Sequence, residues 1–235
     1  GNLSPAVSRG GVPAPDDVIA AAHRGEEEAL LAWLDSGGRA DATYERGEVS
    51  GLTLLMFAAQ GGHERVVELL LQRDAGINKQ NGKGVTVLML AAQGGHERVL
   101  ELLLQHGAEI NKQNGKGVTA LMLAAQGGHE RVVELLLQRD AGINKQSSHG
   151  DTALMLAAHQ GHEQLIELLL RRGAEVNLQK SDGFTALMNA ANEGHERVVA
   201  LLIRHGAEVN LQRSDGCTAL MHAAHESHER VVDLL

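Results

Sequence analysis

The chain has 235 residues and a formal net charge of −9, and it is 43% hydrophobic but only 2% aromatic. The negative charge argues against general binding to nucleic acid or to an anionic membrane surface. Because aromatic residues are so scarce, the core has to be built from Leu, Ala, Val and Met, which suits short helices that pack closely.

The chain begins with a leader over residues 1–15, which contains three prolines and has no periodic pattern. We expect this leader to be flexible. A divergent capping repeat is predicted over residues 16–47. Asp16 and Asp17 are expected to cap its first helix, and Gly25 is expected to end that helix. Its second helix is predicted over about residues 26–35.

A period of 33 residues then governs the sequence. Threonines precede the methionines by three residues, and histidines follow them by seven. The methionines are Met56, Met89, Met122, Met155, Met188 and Met221. A fixed period of this size is typical of stacked-repeat proteins. We number the predicted repeats one to six: 48–80, 81–113, 114–146, 147–179, 180–212 and the partial repeat 213–235.

Each repeat is predicted to contain a turn and two helices. In the second repeat, Asn81 and the glycines around it indicate a tight turn, and Gly84 occupies a position where a positive φ is expected. Thr86 is the expected N-cap of a first helix over 87–94. The second helix is predicted to start at His96 and Glu97, and Gly107 is expected just beyond its end.

The stretch 119–137, TALMLAAQGGHERVVELLL, closely resembles the signature of ankyrin repeats. The resemblance extends from about Asp16 to the last residue and implies an all-α repeat solenoid, in which stacked helix-turn-helix repeats are joined by β-hairpin-like loops. It also implies a protein-interaction module, with ladder histidines that tie adjacent loops together. Two departures are the motif Thr-x-Leu-Met, which lacks the usual proline and histidine, and the aspartates Asp74 and Asp140 at helix ends where glycine is usual.

No catalytic or metal-binding pattern emerges. Of the 13 histidines, six form the ladder, and the group His222, His225 and His228 lacks the spacing of a metalloprotease motif. The lone Cys217 lies in a variable position at a repeat turn. We therefore predict that the protein is not an enzyme and has no metal or other cofactor.

We predict the localisation and the kind of partner from features that the sequence lacks. A single cysteine argues against an internal disulfide, and there is neither a signal peptide nor an apolar run near the ~20 residues that span a bilayer. We predict a cytoplasmic monomer that binds another protein or a peptide, and neither nucleic acid nor membrane.

Lysines recur near the turns of the first half only. They are Lys79, Lys83, Lys112, Lys116 and Lys145. They form either a solvated edge or a strip that favours an acidic segment of a partner.

Positions that differ between otherwise similar repeats are the candidates for partner contact, because a stacked solenoid exposes its turns and first helices as one concave surface. This diversity is concentrated in the last three repeats. The candidate residues are Phe57, Lys83, Lys116, His149, Asp151, His159, Gln160, Asp182, Phe184, Asn189, Asn192, Glu193, Asp215, His222, His225 and Glu226.

An alternative remains open: an engineered, near-consensus scaffold with no evolved ligand. Residues 58–80 and 124–146 are identical, which engineering or recent duplication would each produce. The sequence starts at Gly1 and stops at Leu235 in the middle of the pattern, as an excised or engineered segment would. The divergent capping repeat and the unusual helix ends favour a natural origin.

Overall fold

The computed structural model describes residues 14–46 and 49–235, so most of the leader predicted over 1–15 lies outside the described residues. Within them, the chain folds into fourteen helices and one two-stranded antiparallel sheet. The elements are α1 Asp16–Arg24, α2 Glu27–Asp35, β1 Thr43–Arg46, β2 Val49–Thr53, α3 Leu54–Gln60, α4 Glu64–Gln72, α5 Val87–Gly94, α6 Glu97–Gln105, α7 Ala120–Gln126, α8 Glu130–Leu137, α9 Ala153–Gln160, α10 Glu163–Arg171, α11 Ala186–Asn192, α12 Glu196–Arg204, α13 Ala219–His225 and α14 Glu229–Val232.

The helices form two rows. The odd-numbered helices, which are the first helices of their repeats, pack side by side from α1 to α13, and the even-numbered helices form a second row that is packed less closely. The paired alanines explain the difference: Ala91 and Ala92 are fully buried, and their short side chains let neighbouring first helices approach. The predicted all-α repeat solenoid is confirmed.

The threonine caps hold every regular first helix at its start. Thr86 Oγ1 accepts a hydrogen bond from the backbone N–H of Met89 at 3.3 Å, and the equivalent threonine does the same in each of the other repeats. The turn before the cap requires glycine. Gly84 has a φ of 74°, and a Cβ there would lie 2.8 Å from the backbone nitrogen of Gly115.

The second helices bury only part of their leucine run. Val99, Leu100 and Leu103 are buried in α6, whereas Leu102 and Leu104 are half-buried. The core is therefore built from one stripe of each second helix and most of each first helix, and it runs without interruption along the stack.

The capping repeat differs from the prediction at its start. Asp16 and Asp17 lie inside the first turn of α1, where their charges favour the helix dipole, but the N-cap is Pro15 and no side chain caps the helix. Gly25 ends α1 with a φ of 77°, as expected. Strands β1 and β2 pair in an antiparallel arrangement, and their register shifts between Tyr44 and Arg46.

Candidate functional site

The candidate residues lie on a surface that we call the tip face. It consists of the turns that open the repeats (81–85 in the second repeat), the residue after each methionine (Leu90) and the two residues after each alanine pair (93 and 94). Neighbouring turns are joined directly, because the backbone N–H of Gly115 donates to the carbonyl of Lys83 at 3.0 Å, and Ser214 donates to Asp182 at 3.1 Å. Backbone hydrogen bonds thus join the turns of the second, third and fourth repeats and those of the fifth and sixth, and the ion pair of Lys180 with Asp151 links the two groups.

Phe184 is the centre of the most developed cluster on this face. Its half-buried ring lies 4.9 Å from the ring of His222, which belongs to the next repeat. The guanidinium carbon of Arg213 is 4.6 Å from the ring centre, and Lys180 Nζ is 5.7 Å away. Both distances suit cation–π contact, so the ring and the two cations hold one another in place.

Carboxylates neutralise the two cations of this cluster. Lys180 Nζ pairs with Asp151 at 2.6 Å, and Arg213 pairs with Asp215 at 3.4 Å and lies 4.0 Å from Asp182. The backbone N–H of Cys217 donates to Asp215, and this bond, followed by the charge of Arg213, outweighs desolvation and lowers the pKa of the Asp215 carboxyl. The turn residues therefore form a network of fixed charges.

The surroundings of His222 lower the pKa of its imidazole. Burial lowers the pKa of its imidazole, and the nearby positive charge of Arg213 lowers it further. Within the described residues, neither the buried Nε2 of His222 nor the buried Nε of Arg213 has a hydrogen-bond partner. Two buried polar atoms without partners in one cluster are unusual in a folded protein.

The ends of the first helices carry a second group of candidates. Glu193 Oε1 lies 3.4 Å from Nδ1 of His159 and accepts a hydrogen bond from the amide of Asn192 at 2.9 Å. Glu226 lies 3.5 Å from Nδ1 of His225. Gln160, beside His159, is exposed. These carboxylates are surrounded by histidine and amide groups rather than by lysine or arginine.

The burial of Asn189 contradicts the prediction made for it. It was predicted to contact a partner, but it is only 8% exposed, and its amide donates to the carbonyl of Met155 in the preceding first helix at 3.3 Å. The burial leaves no surface for a partner to touch. Asn189 therefore joins helices α9 and α11 instead of forming part of a binding surface.

Phe57 lies far along the stack from Phe184, in the first repeat. Its ring makes edge-on contacts with His23 and Tyr44, at centroid distances of 6.3 and 5.9 Å. These residues line a shallow groove of about 470 Å³ that also includes Asp16 and Ile19. The structure thus separates Phe57 from the cluster of the last two repeats.

The remaining candidates stand on exposed turns. Lys83 and Lys116 are exposed, and in both turns an asparagine side chain, Asn81 or Asn114, accepts two backbone hydrogen bonds that fix the conformation. His149 is exposed on the fourth turn, with Nδ1 3.4 Å from Ser148 Oγ. These side chains are presented by a rigid backbone.

The ladder histidines have the structural role that the resemblance implied. His129 Nε2 lies 3.0 Å from the carbonyl of Gln93, 36 residues earlier, and each of the other ladder histidines bonds to a carbonyl of the preceding repeat. Because a carbonyl only accepts, Nε2 carries the proton in these bonds. The ladder therefore joins adjacent repeats.

Two further ladders were not predicted. Gln113 donates through its amide to the carbonyls of Gly117 and Gln146, both in the next repeat, at 2.6 and 3.0 Å. Asn111 donates to the carbonyl of Asp140 and accepts from the N–H of Gly142. Equivalent residues recur every 33 positions, so the period itself contained the signal.

Two absences can be stated for residues 14–46 and 49–235. No group of three or more His, Cys, Asp or Glu side chains is arranged to hold a metal ion. No helix in this part of the chain has the length and apolar character needed to cross a membrane.

Comparison with known proteins agrees with this architecture. The family model described as ankyrin repeats matches three times, over residues 18–114, 111–180 and 165–235. No curated protein matches the chain. Ankyrin repeats are generally protein–protein interaction modules and are typically not enzymes. With matches from residue 18 to the last residue, and a stack of paired helices throughout, the chain belongs to the ankyrin-repeat family.

Proposed function

We propose that the chain binds a partner protein or peptide on the concave tip face of its last three repeats, around Phe184. The observation that carries this proposal is the cluster of Phe184, Arg213 and His222. An aromatic ring and an arginine, both held by neighbours, occur where the repeats depart from their shared framework. Aromatic and arginine side chains dominate the energy of protein interfaces.

The same cluster brings candidate residues of neighbouring repeats into contact. Phe184 connects the turn of the fifth repeat to the first helix of the sixth through its contact with His222. A partner that covered this ring would also approach Asp215 and Glu226, which lie close enough to His222 to affect its charge. Asn189 is excluded because it is buried.

Selection from a displayed library of random peptides tests the proposal. Enriched peptides are measured by titration against the protein and its Phe184→Ala variant. We expect the variant to weaken binding by about 30-fold or more, as the loss of an interface hot spot does. Phe57→Ala is the matched control, since it removes the other phenylalanine from a distant part of the face, and it should leave the affinity unchanged.

Enriched peptides that bind the wild type and Phe184→Ala equally would refute this location of the site. Circular dichroism of both variants separates a lost contact from a lost fold. Phe184 is only half-buried, so the variant should remain folded.

A scaffold without an evolved ligand is the second candidate function. It is supported by the identity of residues 58–80 and 124–146. Such a scaffold predicts that selection enriches no shared motif and that no enriched peptide depends on the residues around Phe184. The same experiment therefore decides between the two candidates.

A further inference from the structure

The net charge of the tip face changes sign along the stack. In the second and third repeats its only charged residues are Lys83 and Lys116. Both side chains are exposed, and neither forms an ion pair with any residue of the described ranges. The neighbouring Lys79 and Lys112 are paired with Asp41 and Glu109, so they add little charge to this end.

In the fifth and sixth repeats, negative charges outnumber positive charges on the tip face. Their tip face carries two cations, Lys180 and Arg213, and four carboxylates. Asp182 and Asp215 lie beside Arg213, and Asp151 from the fourth repeat pairs with Lys180. Glu193 and Glu226 are left facing only histidine and amide groups.

The carboxylates of the turns and those of the helix ends belong to one surface. His222 links them, because its ring lies 4.9 Å from that of Phe184 in the preceding turn and it shares the last turn of α13 with His225. Positions 222 and 225 fall on one face of α13, at i and i+3, and Glu226 is the C-cap residue of that helix. Glu193 and Glu226 follow the first helices that the turns precede, so a bound chain reaches them by running obliquely across the tip face.

We propose that the tip face binds an extended polypeptide with segregated charge, whose acidic residues lie over Lys83 and Lys116 and whose basic residues lie over Glu193 and Glu226. This inference rests on the proposed function and specifies the chemistry of its partner. Opposite potentials on two surfaces steer association and fix the position of one chain on the other. The middle of the bound segment crosses the fourth repeat, where Asp151 is already paired, and is uncharged.

The stack sets the distance between the two charged clusters of the partner. The midpoint of the two lysines and the midpoint of the two glutamates are three repeats apart, and packed helices are spaced by about 8–10 Å. The separation is therefore about 24–30 Å. An extended chain covers roughly 3.3 Å per residue, so the clusters should be about 7–9 residues apart.

Three synthetic peptides of identical composition test the inference. The first has two acidic residues, an uncharged spacer that sets the clusters about eight residues apart, and two lysines. The second alternates the same charges, and the third places the two clusters next to each other. Binding is measured by fluorescence anisotropy at low ionic strength. We expect the first peptide to bind about tenfold more tightly than the others, from several weak ion pairs that act together.

Charge-reversal variants test which residues of the tip face cause the preference for the segregated peptide. Lys83→Glu with Lys116→Glu should abolish the preference for the segregated peptide, and so should Glu193→Lys with Glu226→Lys. Arg65→Glu with Arg139→Glu is the matched control, because it changes the net charge of the chain as much as the lysine pair does but lies at exposed positions in and after the second helices. Raising the salt concentration should also remove the preference.

Equal binding of the three peptides, absence of binding by all of them, or a preference that survives the lysine reversals would overturn the inference. None of these results bears on Phe184, which all the charge variants retain. Selected peptides that still depend on Phe184 would then leave the proposed site intact while refuting its charge order.

Discussion

Two aspartates adopt a backbone conformation that glycine adopts in the other complete repeats. Asp74 and Asp140 have φ values of 59° and 62°, at the position where Gly107, Gly173 and Gly206 end their second helices. A side chain in this left-handed region is strained, although aspartate tolerates it better than most residues do. At this helix end the strain occurs in the first and third repeats, and Ser227, with a φ of 63°, has the same kind of strain at another position in the sixth.

Asp74→Gly should therefore stabilise the protein, by roughly 0.5–1 kcal/mol. Urea denaturation of the wild type and the variant measures the change. The reverse substitution, Gly107→Asp, should cost a similar amount. A destabilised Asp74→Gly variant would mean that the aspartate side chain makes a compensating interaction.

The carboxylate of Asp41 makes the free energy of unfolding depend on pH in the acidic range. Its carboxylate accepts a hydrogen bond from the N–H of Gly76 at 2.7 Å and pairs with Lys79 at 3.0 Å. Partial burial raises the pKa of this carboxyl, but the hydrogen bond and the ion pair outweigh burial and leave the pKa below its ordinary value of 3.8. A lowered pKa adds stability that is complete above that ordinary value and is lost as the pH falls through the folded-state pKa.

Asp41→Asn should reduce the loss of stability in acid. Asparagine has the acceptor that Gly76 needs, as Asn78 shows by accepting the N–H of Glu109 in the following repeat. Urea midpoints at pH 3 and pH 6 measure the effect, and the difference between the two pH values should be smaller in the variant. An unchanged difference would show that Asp41 contributes nothing to the acid sensitivity.

Some residues of the site could be predicted from the sequence and others could not. The variable positions drew attention to Phe184 and His222 because each departs from its equivalents in earlier repeats. Their contact was not predictable, since it depends on how far one repeat is offset from the next. Asn189 was misjudged for a related reason: a polar residue that bonds to a neighbouring helix looks, in sequence, like one that faces solvent.

The junction between the two helices of a repeat shows how local sequence and stacking interact. Gly95 ends α5 with a φ of 70°, and a Cβ on it would lie 2.5–2.9 Å from ring atoms of His129 in the next repeat. The glycine thus provides both a backbone conformation and the space that the ladder histidine occupies.

Gly95→Ala and Gly107→Ala separate these two roles. Both positions have positive φ, but a Cβ at Gly107 would meet nothing within 4 Å. Both variants should lose stability through backbone strain. The free energy of unfolding of Gly95→Ala should be lower than that of Gly107→Ala by a further ~1 kcal/mol or more, because the added Cβ displaces the histidine ring. Equal losses in urea denaturation would show that the ring moves aside without cost.

Helix positions were well predicted because each boundary has its own residue type. Threonine begins the first helix, and α5 spans Val87–Gly94 as its pattern indicates. The start of α1 was less clear, because aspartates that stabilise a helix dipole and aspartates that cap a helix occur in the same place in sequence.

The molecule as a whole has one core that extends through all its repeats. Each second helix packs mainly against the neighbouring second helices and its own first helix. The stability of a repeat therefore depends on its neighbours more than on distant parts of the chain, and damage should propagate along the stack.

Leu103→Ala tests this dependence. The side chain is fully buried in α6, so its truncation should cost ~2–5 kcal/mol. Hydrogen exchange should accelerate in α4 and α8 as well as in α6. Leu104→Ala, at a half-buried position, should have a smaller effect. Acceleration confined to residues 97–105 would contradict coupling between repeats.

The glutamine ladder has a consequence for how such a chain can change its length. The side-chain amides of Gln80, Gln113 and Gln146 each donate to the backbone carbonyl of the glutamine one repeat later. These junctions between repeats therefore offer the same donors and acceptors. Recombination between the identical segments 58–80 and 124–146 would remove two repeats and rejoin the chain in register. The shortened protein would keep every type of contact between repeats, including the charged turns at its acidic end, while losing both lysines of the basic end.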